Sequence, residues 1–126
     1  MSRLMSVAFT EQAVIERQKT VTRRKGWWID KRGRRLLLPG DRLTLCRKVM
    51  GRKPGEPLVR LVDVEVVDVG REKLALIGQP GEVEREGFPG LDPWLFVQRY
   101  FHPQGLSSHD DVARIEWRYL DDEATP

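Results

Sequence analysis

The stretch LVRLVDVEVVDVG, Leu58 to Gly70, limits what this chain can fold into more than any other part of it. Its apolar residues alternate with Asp63, Glu65 and Asp68, the period-two pattern of a strand with one face in a core and the other in water. From Leu61 on the alternation breaks twice, at Leu61–Val62 and at Val66–Val67. Two adjacent apolar pairs in such a pattern predict a bulge or a bend.

Other segments carry strand patterns as well. MSVAF (Met5–Phe9) and KTVTR (Lys19–Arg23) read as short strands. A Pro-Gly-Asp turn at Pro39–Asp41 leads into a strand with Leu43 and Leu45 on one face, and DVARIEWRYL sets Ala113, Ile115, Trp117 and Tyr119 against Val112, Arg114, Glu116 and Arg118. Thr10 offers a hydroxyl cap to a short helix with Ala13, Val14 and Arg17 in its first turns. QPGEVEREGF reads as a short helix or turn ending at Gly87. Asp92-Pro93 is a cap and first-turn pair that opens a helix with Trp94, Val97, Tyr100 and Phe101 on one side. Trp94 and Trp117 are assigned to the core. With no βαβ spacing, the expected fold is α+β and β-dominated, a small mostly antiparallel sheet or barrel. The expected organisation is a single domain over 1–126, with its core at about 6–119 and a frayed tail at 120–126.

Composition excludes several classes. The 126 residues are 40% hydrophobic and 33% charged, which suits a globular chain. No apolar run approaches the roughly 18 to 20 residues a membrane helix needs, and the N-terminus has no signal-peptide apolar region. One cysteine, Cys46, makes no internal disulfide; it is expected buried and inert in a cytoplasmic protein, monomeric by default. His102 and His109, with Asp110 and Asp111, read as a solvated loop rather than a metal site. No phosphate-binding or dinucleotide fingerprint and no Ser-His-Asp order is present. No metal and no cofactor is expected.

Charge is unevenly distributed. Arg17 to Lys53 holds fourteen basic residues against Asp30 and Asp41, whereas Glu82 to Pro126 holds ten acids against four arginines. Such segregation points to a positive surface facing a polyanion. The densest part, ERQKTVTRRKGWWIDKRGRR (Glu16–Arg35), places Trp27 and Trp28 in a loop or hairpin turning at Gly26 and Gly33. Flanked by Arg24, Lys25, Lys31 and Arg32, an exposed indole there would stack a base beside phosphate contacts. In a strand one Trp would cap the barrel and the other face a ligand; packing of both in the core is the alternative. Thr20, Thr22 and Arg24 share one face of the preceding strand. Lys19 faces the other way unless it lies in the turn before the strand.

The order of these elements, with RQKTVTRR, PGDRLTL, EREGF, WLFVQRYF and VARIEW, resembles the ASCH family (activating-signal-cointegrator homology) over roughly Ser6 to Tyr119. The family's run Gly-x-Lys-x-x-Thr-x-Arg is matched by Lys19, Thr22 and Arg24. Arg17 stands where the family turns on Gly, so either the approach to the strand differs or the turn is made without positive φ. The resemblance implies a small PUA-like mixed β-barrel with two or three short helices. It also implies RNA binding, here through Arg17, Lys19, Thr22, Arg24, Lys25, Trp27, Trp28 and Arg32. Some small members are amidohydrolases of N4-acylated cytidine, which implies a catalytic set of Lys19, Thr22 and Glu86, and others are associated with nuclease activity. In that set Lys19 activates Thr22 or a water, Glu86 carries the proton to the leaving amine, and Arg24 holds a phosphate or a carbonyl oxygen. RNA binding is the first expectation, with the amidohydrolase or a ribonuclease as the alternative and RNA or a modified nucleoside as the partner.

Overall fold

The computed structural model describes residues 3–27 and 29–120, so Trp28 and all of the expected tail except Leu120 lie outside the described residues. Five strands, β1 (Arg3–Ser6), β2 (Val21–Arg24), β3 (Arg42–Cys46), β4 (Arg60–Lys73) and β5 (Asp111–Tyr119), form one sheet in the order β1-β3-β4-β5-β2. The sheet curls into a half-barrel. Every pairing is antiparallel except that of β1 with β3. Three short helices accompany the sheet: α1 (Glu11–Ile15), α2 (Glu82–Arg85) and α3 (Pro93–Tyr100). Among the described residues no helix is long and apolar enough to cross a membrane.

Both breaks in the β4 pattern are bulges. Val66 pairs with Trp117 and Asp68 with Glu116, which leaves Val67 without a partner in the ladder. The extra residue changes the phase, so Val64 and Val66 before it and Val69 after it all reach the same core. On the other edge Leu45 pairs with Val62 and Cys46 with Arg60, which skips Leu61. The strand can therefore bend twice while keeping Val64, Val66 and Val69 inside. Ile115, Trp117 and Tyr119 of β5 pack on that core, and Cys46 is buried.

A second apolar cluster joins Leu74, Ile77 and Val112 to Val83 of α2, to Phe96 and Val97 of α3 and to Phe101 just past it. Here the helix departs from expectation. Asp92 caps it, accepting from the backbone N–H groups of Trp94 and Leu95, but Trp94 is 57% exposed and Phe96 takes the buried position. Six of the residues from Trp94 to Phe101 are apolar or aromatic, so periodicity leaves the buried face undecided and packing against Leu74 and Ile77 chooses it. Thr10 sits at the α1 cap position without a side-chain capping bond.

Gly87, just past α2, has φ 99° and packs against α1: a Cβ there would lie 3.1 Å from both Ala13 Cβ and Thr10 Cγ2. Gly26 has a similar φ of 82° but open space around it. Gly87→Ala should therefore cost about 2–5 kcal/mol, from backbone strain plus overpacking, and Gly26→Ala only the strain, about 1–2 kcal/mol. Urea unfolding of the two variants checks this; equal losses would show that α1 does not press on Gly87.

Candidate active-site pocket

The chain reaches the pocket through an unusual turn. Arg17, with φ 63°, is the one non-glycine residue of positive φ among the described residues. The turn therefore does use the left-handed region, and an arginine bears it. The Arg17 guanidinium donates to the carbonyls of Val14 and Ile15 at the end of α1, both at 3.0 Å, and the Val14 carbonyl also accepts from the Arg17 backbone N–H. It also lies 5.2 Å from the centroid of the Tyr119 ring.

Lys19 follows in the turn before β2, and its backbone is tied on two sides. Its N–H donates to Ala13 O at 3.2 Å, and its carbonyl accepts from Trp117 Nε1 at 3.0 Å and from the Tyr119 hydroxyl. The side chain is buried, with Nζ 2.6 Å from the Glu86 carbonyl oxygen and 3.4 Å from Glu86 Oε1. Burial brings its pKa down from 10.5 to about 8, against the pull of the Glu86 carboxylate and with help from the nearby Arg24 and Arg23 charges.

Glu86, at the end of α2, is buried too, and its second oxygen accepts from Arg23 NH1 at 3.0 Å. Arg23 also reaches Glu72 Oε2 at 3.2 Å and forms a short contact with Glu82, while its Nε is buried without a partner. Glu82 accepts from Arg114 Nε at 2.8 Å. Burial alone would raise the Glu82 pKa, but hydrogen bonds from Arg114 and Arg23 outweigh it and hold the group at about 2. Arg114 is in turn pushed above its usual value by its bond to Glu82.

On the opposite face of β2, Arg24 Nε donates to Thr22 Oγ1 at 3.3 Å, and its NH2 reaches the Ser6 carbonyl at the end of β1. β1 and β2 are the two edges of the sheet, so Arg24 spans the seam where the half-barrel stays open. The cavity lies at this seam. It has a volume of about 180 Å³, and Lys19, Thr22, Arg24 and Glu86 line it together with an aromatic wall that includes Phe9, Phe88 and Tyr100.

The structure thus brings Lys19, Thr22, Arg24 and Glu86 to one cavity. Lys25 is exposed at its rim, with Nζ 3.3 Å from the carbonyl of Gln104, a lining residue. Arg17, Trp27 and Arg32 do not line the cavity: Arg17 closes α1, Trp27 is half-buried against the main core, and Arg32 is exposed in the turn folded around the Asp30 carboxylate. Sequence reasoning missed Arg23. Its signal was there, since period two puts Arg23 on the same face as the buried Val21, but its acidic partners come from distant segments. Among the described residues no group of three or more His, Cys, Asp or Glu side chains is placed to hold a metal.

No family model matches the chain, and no curated protein matches it. Among solved structures it is similar to the crystal structure of a mutant of the ZmASCH protein from Zymomonas mobilis, with a TM-score of 0.55 and 15% identity over 91% of this chain and 67% of that one. The two proteins share a fold, and in this chain it is the strand-dominated α+β one expected from the sequence.

Because Lys19 has its pKa near 8 when folded and 10.5 when unfolded, the unfolded chain holds more protons between those values. Stability should therefore rise with pH from about 8 to about 10.5, by on the order of 2–3 kcal/mol at most. Urea unfolding across that range, compared with Lys19→Met, isolates the effect. A difference between the two proteins that stays flat with pH would contradict the buried lysine.

Proposed function

We propose that this protein binds a nucleoside in the seam cavity and hydrolyses an acyl group from its exocyclic nitrogen, as in N4-acylated cytidine. The observation that carries this is the buried pairing of Lys19 with Glu86 in a cavity shared with Thr22 and Arg24. A lysine with its pKa at about 8 is neutral in roughly a tenth of molecules at pH 7, enough to act as a base. The size also supports a single ring: an engineered cavity of about 150 Å³ takes benzene, and this one is about 180 Å³.

In this reaction neutral Nζ takes a proton from the Thr22 hydroxyl or from a water. The oxygen so released attacks the acyl carbon, and Arg24 supplies fixed positive charge for the oxygen that becomes negative. The C–N bond then breaks, and the proton passes by way of Glu86 to the leaving nitrogen, which departs as the free amine. If Thr22 attacks, the resulting ester is cleaved by a water through the same groups, and a carboxylic acid leaves.

A second reading, a single-stranded RNA held by its phosphates, is favoured by the exposed Lys25 at the rim and by the exposed Lys31 and Arg32 in the loop beyond it.

The two readings differ in their dependence on Lys19 and on salt. Hydrolysis of N4-acetylcytidine, followed by HPLC, should show kcat/KM rising with pH and levelling above about 8, as Lys19 becomes neutral. Lys19→Ala and Glu86→Ala should each lower it by about 10²–10⁴-fold. RNA affinity resting on Lys25, Lys31 and Arg32 should instead fall steeply with salt and survive Lys19→Ala. No turnover by the wild-type protein, or turnover that neither substitution affects, would overturn the hydrolase.

A further inference from the structure

We infer that Phe9 is a ligand-stacking residue: with Tyr100 it forms an aromatic lip at the mouth of the seam cavity that receives the flat face of a heteroaromatic ring. This deepens the function proposed above, and rests on it for the identity of the site, by naming the chemical class of the ligand.

Phe9 is 80% exposed and yet lines the cavity. Exposure alone says little, since Met50 is 84% exposed and does not line it. What sets Phe9 apart is that its ring is both held and open. It sits in a single helical turn, Ala8–Thr10, fixed at its base by Val7 N–H donating to Cys46 O at 2.8 Å and by Thr10 N–H donating to Val7 O at 2.9 Å. The ring centroid is 5.5 Å from that of Tyr100, tilted by 51°, and Tyr100 in turn lies 4.9 Å from Phe88. The aromatic wall thus runs from the second core cluster out to the cavity mouth, where most of the Phe9 ring remains uncovered. The same cavity is lined by the polar groups of Lys19, Thr22 and Arg24. A ligand that uses both kinds of group has a flat apolar face and a polar edge. A sugar or an inorganic anion would engage the charged groups and leave the rings idle.

The test is equilibrium binding of cytidine, which carries no acyl group to hydrolyse, to the full chain, with ribose as the non-aromatic control. The wild-type protein should prefer cytidine. Phe9→Ala should weaken cytidine by about fivefold or more and leave ribose unchanged. Phe9→Trp should keep or tighten cytidine binding, and the melting temperature should not move, because the side chain lies outside the core. Equal binding of cytidine by wild type and Phe9→Ala, or no preference of the wild type for cytidine over ribose, overturns the inference. Phe9-dependent cytidine binding in a protein that leaves N4-acetylcytidine intact keeps the lip and removes the hydrolase. Hydrolysis indifferent to Phe9→Ala does the reverse.

Discussion

A carboxylate buried between two cations organises this molecule. Taking Glu86, Lys19 and Arg23 out of water costs several kcal/mol per ion, and the fold recovers that only by holding them within hydrogen-bond reach. The sequence devotes much of its local geometry to this. Arg17 turns the chain in the left-handed region, Trp117 and Tyr119 hold the Lys19 carbonyl, and Gly87 lets α1 press against the end of α2. Removing any one of the three charges leaves the others buried without full compensation, a loss of about 3–5 kcal/mol in comparable networks. The extended acid–arginine chain through Glu72, Glu82 and Arg114 spreads the charge over β4, α2 and β5, and so ties the small helix to the sheet.

The same charges stand where the sheet fails to close. β1 and β2 are four residues long and lie at opposite ends of the strand order. Sheet edges carry unpaired backbone groups, and here one of them, the Ser6 carbonyl, is taken up by the Arg24 guanidinium. The open seam becomes a cavity lined both by polar side chains and by rings from α3 and its neighbours. Burial supplies the remaining property. In water Lys19 would stay protonated and idle, whereas here a fraction of it is neutral at ordinary pH.

Much of the fold was legible because it rests on local pattern. The two apolar pairs in β4 marked two bulges, the alternation in β5 marked its core face, and Asp92-Pro93 marked the start of α3. What failed was whatever depends on partners distant in sequence. α3 carries apolar side chains nearly all round, so the choice of Phe96 over Trp94 for the core was made by Leu74 and Ile77. Lys19 could be placed in the turn or on the far face of the strand, and the bonds of its backbone to Ala13, Trp117 and Tyr119 put it in the turn. Nothing local identifies the partners of Arg23, because Glu72, Glu82 and Glu86 lie 49 to 63 residues away. Arg17 makes its turn in the left-handed region without a glycine, and bonds to the α1 carbonyls and the contact with Tyr119 hold the arginine there.

The claim on which the chemistry rests is that Lys19 sits in the dry floor of the seam beside Glu86. An NMR titration of the Lys19 side chain tests it most directly. The account predicts a midpoint near pH 8 in the wild-type protein and a lower one in Glu86→Gln, because the carboxylate is the group that holds the proton on. A midpoint at 10.5 or above, unmoved by Glu86→Gln, would contradict it.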